Sequence, residues 1–228
     1  MEGDWLLGLL KIMLVNIVLS GDNAVVIALA CRRLPPAQQK RAIFWGTMGA
    51  VLLRLALTGV AVWLLKVPLV EACGGILLLY IAVKLLTGQE DEEGEGRSGL
   101  SIRQAIRTII AADVVMSLDN VVAVAGVAQG DWLLIGIGLA VSIPLIVFCS
   151  SLLTRLMKRF PVIVWLGAGL LGYTAGEMLV KDEWVHGLLE PVLAGGLPIV
   201  PAVLTLAVVG CGAILAKRAA SRSMQERG

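Results

Sequence analysis

One polar string occurs twice inside apolar sequence, and any fold the chain adopts must house both copies. Residues 16 to 28 read NIVLSGDNAVVIA, and residues 113 to 125 read DVVMSLDNVVAVA. At a constant offset of 97, Asn16 aligns with Asp113, Ser20 with Ser117, Asp22 with Asp119 and Asn23 with Asn120, alongside Val18 with Val115, Val25 with Val122 and Ala28 with Ala125. Chance agreement between apolar runs does not produce shared Ser, Asp and Asn. An ionisable residue deep in a hydrophobic segment is expensive in lipid and marks a functional site by default. Whatever the protein does has to explain these carboxylates.

The surroundings are those of a membrane protein. Of 228 residues, 58% are hydrophobic and 16% charged, and the mean hydropathy is +0.88, far too apolar for an ordinary soluble domain. The expected partner is the lipid bilayer, and no nucleic acid is indicated. Cys31, Cys73, Cys149 and Cys211 are scattered without a CxxC pair, and His186 is the single histidine, so neither a disulfide framework nor a soft zinc site is expected. The opening MEGDWLLGLLKIM lacks a basic n-region and a cleavage site. It is expected to stay as the start of the first helix.

A helix needs about 20 apolar residues to cross the hydrocarbon core. Seven segments qualify, at about 5–30, 42–65, 69–87, 104–128, 132–153, 161–180 and 196–216. The fold expected is an all-α membrane protein with seven transmembrane helices, a 3+3 inverted repeat plus one extra helix. Residues 1–88 form the first repeat, 89–102 an acidic cytoplasmic linker, 103–182 the second, inverted repeat, and 183–228 an outer loop, the seventh helix and a basic tail. Three crossings per repeat is odd, so the second copy enters from the opposite side, as in secondary transporters whose sites lie at mid-depth. Weaker echoes support the pairing, such as Tyr80 with Tyr173 and Gly46 with Gly136.

Orientation follows the Lys/Arg bias. Arg32, Arg33, Lys40 and Arg41, then Arg155, Lys158 and Arg159, then the tail from Lys217 fall on one side. Only Lys66 and Lys181, with Asp131, Asp182, Glu183 and Glu190, fall on the other. The C-terminus is expected in the cytoplasm and the N-terminus outside, in a bacterial plasma membrane.

The chemistry of the string is that of hard oxygen ligands. On a regular helix Asn16, Ser20 and Asn23 share a face within roughly 40°, while Asp22 sits about 100° from Asn23. A break near Ser20 and Gly21 would bring them together and free backbone carbonyls; Leu118 replaces that glycine in the second copy. Carboxylates, amides and hydroxyls from Asp22, Asp113, Asp119, Asn16, Asn23, Asn120, Ser20 and Ser117 suit Mg²⁺, Ca²⁺ or Mn²⁺ rather than copper or zinc. Met116 could add a thioether favouring Mn²⁺, although packing between helices is the simpler explanation. By insertion scales each lone Asp at mid-membrane costs about 2.5 to 3.5 kcal/mol. An empty site is therefore expected to take up protons or to pair with a basic residue, which suggests cation/proton exchange.

The doubled S-x-D-N, with a basic run after the first copy and an acidic linker before the second, resembles the TerC family of integral membrane proteins, named for tellurium resistance and grouped with LysE-type transporters. The resemblance spans about residues 5–216. It implies handling of divalent metal, chiefly manganese efflux, with Asp22, Asn23, Asp119 and Asn120 as ligands. It also implies a role in supplying metal to exported proteins, whose metallation machinery becomes a candidate partner. A second copy of the chain, in a homo-oligomer, is another. No prosthetic group is expected; Mn²⁺, or Ca²⁺ in its place, is the transported ion.

Other polar residues in the apolar segments need their own explanation. Arg54, near the centre of the second segment, is expected to pair with a motif aspartate as an internal counter-ion; its counterpart is Pro144. Glu177 is either an exit ligand or proton carrier or a solvated helix-end acid, and its counterpart Lys84 either joins the path or snorkels to the interface. Three alternatives to Mn²⁺ export stand beside it: a Ca²⁺/H⁺ exchanger-like transporter, a non-transporting metal-binding scaffold linked to tellurium resistance, and an intramembrane hydrolase using an aspartate dyad. The last lacks a positioned nucleophile, and His186 lies in an outer loop, so no enzyme is expected.

Overall fold

The structure, a computed structural model, describes residues 10, 21–60, 64, 67–87, 101–128, 132–193 and 197–225, with side chains described throughout except at 119, 121–128, 132, 134, 192–193 and 216–225. Eight helices follow one another in these residues: α1 (Gly21–Cys31), α2 (Pro36–Thr58), α3 (Val70–Thr87), α4 (Ile102–Ala128), α5 (Trp132–Arg159), α6 (Val162–Lys181), α7 (Glu183–Leu193) and α8 (Ile199–Gln225). The described residues contain no strand. Among the described residues, four stretches are long and apolar enough to cross a membrane, namely α2, α3, α5 from Ile135 and α6. The acidic linker falls largely outside the described residues.

Several boundaries differ from the sequence reading, each for a local reason. The second helix begins at Pro36 and not near residue 42, because proline at the first helical position forgoes only an N–H that would have no partner there. The fifth helix continues through Leu156 to Arg159, and the last continues to Gln225. In the expected outer loop the chain forms α7. Asp182 starts it by accepting hydrogen bonds from the backbone N–H groups of Trp184 (3.1 Å) and Val185 (3.3 Å), satisfying donors that a helix start leaves open. Its other carboxylate oxygen accepts from Ala72 N at 3.2 Å. One buried carboxylate thus caps the starts of both α3 and α7.

The opposite end is closed by basic groups on helix C-termini, where the carbonyls lack partners and the dipole favours cations. Arg32 donates to the carbonyls of Leu85 (2.8 Å) and Leu86 (3.2 Å), Arg33 to that of Thr87, and Gln39 to those of Cys31 and Arg32. Burial and the neighbouring Arg33 push the Arg32 guanidinium down to about 10, so it remains charged at neutral pH. These bonds tie the ends of α1 and α3 together.

Between the two ends lie two apolar clusters. The larger joins α1, α3, α4 and α6 through residues such as Leu29, Leu78, Met116 and Leu171. The smaller gathers Ile27, Cys31, Leu34, Ile43, Ala105 and Ile109 at the basic end. Cys31 ends α1 and Ala105 lies in the first turn of α4, so those two helices run in opposite senses. Likewise Asp182, just past α6, meets the start of α3, so α3 and α6 also run oppositely.

Close approach sets how these helices pack. A Cβ on Gly176 of α6 would lie 2.5 Å from Pro201 Cα of α8, whereas one on Gly187 of α7 would meet nothing within 4 Å. Gly176→Ala is expected to lower stability by about 1–3 kcal/mol through overpacking against backbone, and Gly187→Ala to change it by less than about 0.5 kcal/mol. Thermal unfolding of the two variants in detergent checks the contrast.

Candidate cation site

The site starts from one stripe of α2. Thr47, Ala50, Val51, Arg54 and Thr58 are among its buried residues, spaced so that one helical face carries them all. That face can approach α4 because Gly46 and Gly49 have no side chain. A Cβ at Gly46 would sit 2.7 Å from Ile109 and one at Gly49 2.9 Å from Ile110. Two turns beyond Gly46, the Arg54 side chain spans the remaining gap.

Arg54 is 2% exposed, Asp113 9% and Ser117 0%. The guanidinium Nη2 donates to Asp113 Oδ1 at 2.6 Å and Nε donates to Ser117 Oγ at 2.8 Å. Ser117 in turn donates to Asp113 Oδ2 at 3.0 Å. Asp113 and Ser117 lie one turn apart on α4, so a single helix face presents both to the arginine. The result is a closed triangle in which each carboxylate oxygen of Asp113 is engaged. Thr58 Oγ1 donates to the Arg54 carbonyl at 2.8 Å, tying the hydroxyl down within α2.

Asp22 approaches from α1. It is half-buried, and its Oδ1 accepts from Asn23 N at 2.8 Å. It lies within electrostatic reach of both Arg54 and Asp113. Asn23 and Asn120 are buried. Thus α1 contributes Asp22 from the first copy of the string, α4 contributes Asp113 and Ser117 from the second, and α2 contributes Arg54.

The remaining expected residues fall in different places. Asn16 and Ser20 lie outside the described residues, and so does the side chain of Asp119, although α4 runs unbroken through its backbone and past Leu118. Met116 packs in the apolar cluster with Leu78 and Ala175, which is the packing role. Lys84 sits in the last turn of α3 with Nζ 5.6 Å from the Tyr80 ring centre, a cation–π contact. Glu177 is half-buried on α6. Neither is drawn into the triangle. His186, in α7, places Nδ1 3.1 Å from the Val180 carbonyl and Nε2 3.9 Å from Glu190. Among the described residues no three His, Cys, Asp or Glu side chains come together as a group that could hold a metal ion.

Two features were not read from sequence. Asp182 looked like a loop acid, yet its place immediately before Glu183-Trp184 is that of a helix cap. Thr47, two turns from Arg54 on the same stripe, keeps a buried hydroxyl with no hydrogen-bond partner among the described residues; its seven-residue spacing from Arg54 was the available signal.

Comparison with known proteins follows this geometry. The family described as "Integral membrane protein TerC family" matches residues 1–224. The chain is 45% identical over 199 residues to the uncharacterized membrane protein YjbE of Bacillus subtilis (strain 168), covering 85% of this chain and 91% of that protein. It is 26% identical over 200 residues to the uncharacterized membrane protein YkoY of the same organism, covering 74% and 61%. To the UPF0053 protein YegH of Escherichia coli (strain K12) it is 29% identical over 177 residues, covering 69% and 33%. The matched region is thus under two thirds of YkoY and of YegH. No solved structure matches the chain.

Removing one partner of a buried ion pair leaves a desolvated charge and costs about 3–5 kcal/mol, while exchanging both for apolar residues is often close to neutral. Asp113→Leu is therefore expected to destabilise the protein by about that amount, and Arg54→Met added to it to restore most of the loss. Equilibrium unfolding in mixed micelles measures both.

Proposed function

The chain belongs to the TerC family of integral membrane proteins, and from that premise we propose that it is a secondary transporter exporting a divalent metal cation, Mn²⁺ foremost, through a site at mid-depth between its two halves. The observation that carries this reading is the buried triangle of Arg54, Asp113 and Ser117 between α2 and α4, with Asp22 of α1 within electrostatic reach of Arg54 and Asp113. Acids and amides from two copies of one string would supply the oxygen donors that a hard divalent ion takes. The ligands proposed are Asp22, Asn23, Asp119 and Asn120, with Asn16 and Ser20 from the first copy. Manganese as the ion comes from the family resemblance.

The 3+3 inverted repeat belongs to the same proposal, with α1–α3 as one half, α4–α6 as the other and α8 outside it. Packing supports it: α1 lies on α5 as α4 lies on α2, and α3 lies on α4 as α6 lies on α1. The opposite senses of α1 and α4, and of α3 and α6, fit two copies entering from opposite sides. The basic end faces the cytoplasm by the positive-inside rule. Motion of one half against the other then exposes the site alternately, and carboxylates left without an ion take up protons, giving metal/proton exchange.

Reconstituted vesicles containing a Mn²⁺-sensitive dye test this. Wild-type protein is expected to carry Mn²⁺ across the membrane, and Asp22→Asn and Asp119→Asn are each expected to reduce flux to the background of empty vesicles while eluting as folded protein. Wild-type rates in both variants would overturn the assignment. Binding of Mn²⁺ by the wild type without flux would instead mark a scaffold.

A further inference from the structure

The two copies of the polar string carry different charges, and the structure links that difference to another one. The first copy has neutral Asn16 where the second has Asp113, and α2 has Arg54 where α5 has Pro144. We propose that these differences cancel: Arg54 neutralises Asp113 and, with Ser117, holds it out of the ion's coordination shell, so that the cation's charge is met by Asp22 and Asp119 alone. This deepens the divalent-cation reading and rests on it.

The geometry supports a positioning role for Arg54. Asp113 uses Oδ1 for the guanidinium at 2.6 Å and Oδ2 for the Ser117 hydroxyl at 3.0 Å, and Ser117 uses its oxygen for Arg54 Nε at 2.8 Å. All three side chains are buried, so water does not compete for these bonds. Taken as a unit, the triangle is neutral, as Asn16 is in the other copy. Pro144 bears no charge, and none is required opposite an asparagine.

The charge count gives the pair its purpose. Without Arg54, three motif carboxylates would face one ion, leaving a divalent cation one charge short and a trivalent one matched. With Arg54 in place, two carboxylates remain, and a divalent ion balances them. Arg54 therefore sets selectivity by charge, through Asp113, without itself coordinating the ion. The competing arrangement is that Arg54 is a stand-in that leaves Asp113 when the ion arrives, making Asp113 a ligand.

Calorimetric titration of the purified full chain in nanodiscs, with Mn²⁺ and Tb³⁺ as probes, separates the two. Arg54→Gln is expected to raise the affinity for Tb³⁺ relative to Mn²⁺ by about tenfold or more, and Asp113→Asn to weaken Mn²⁺ binding by about tenfold or more, the range seen when groups supporting metal ligands are changed. The double variant Arg54→Gln/Asp113→Asn is expected to bind both ions within about threefold of wild type, because the two changes cancel. A double variant that binds Mn²⁺ as poorly as Asp113→Asn overturns the proposal, since Asp113 would then be a ligand. If either single variant fails to fold, the double variant decides alone: wild-type binding supports the proposal and lost binding overturns it. A wild-type chain that binds neither ion overturns the cation reading itself, and this proposal with it.

Discussion

A guanidinium and a carboxylate buried between helices have no water to fall back on, and the bundle is arranged so that Arg54 and Asp113 never need it. Charged groups in the hydrocarbon region survive only by pairing or by lining a wet cavity. Here the pair is completed by Ser117, which both accepts from the arginine and donates to the aspartate. That arrangement requires α2 to lie against α4 in one register. The register follows from Gly46 and Gly49, whose missing side chains admit Ile109 and Ile110. A packing contact two turns away thus determines whether the charges meet.

The ends of the bundle are treated as carefully as its middle. At one end Asp182 closes the starts of α3 and α7 with a single carboxylate, and at the other Arg32, Arg33 and Gln39 close the C-termini of α1 and α3. Asp182 at helix starts and Arg32 and Arg33 at a helix end carry charges whose signs match the dipoles they meet, while Gln39 donates as a neutral amide. The same asymmetry that the positive-inside rule reads as orientation therefore also fastens helices together.

How much of this was legible follows from what kind of information each feature uses. The membrane-spanning class and most helix positions are written in long apolar runs, which the fold preserves to within a turn in α3, α4 and α6. A mid-segment arginine announces that it needs a counter-charge, but which aspartate supplies it depends on the register of α2 against α4, a long-range contact with no local signal. The start of α2 was misplaced because Pro35-Pro36 reads as a breaker, whereas the second proline opens the helix. The short α7 was hidden by Pro191 and by its position in a connection. Asp113 and Ser117 looked like ligands because they share the string with Asp119 and Asn120; only their contacts with Arg54 show them occupied with one another.

Ion chemistry then rests on charge as much as on ligand type. Hard oxygen donors admit several divalent ions, and on the proposed reading the neutralisation of one carboxylate by Arg54 leaves a site whose charge matches two positive units. The most direct measurement is an experimental structure of the full chain with Mn²⁺ bound, the ion located by its anomalous scattering. The expected result is an ion coordinated by Asp22 and Asp119, with Arg54 still on Asp113 and Ser117. An ion seated on Asp113 with Arg54 displaced, or no ion between α1 and α4, would contradict it.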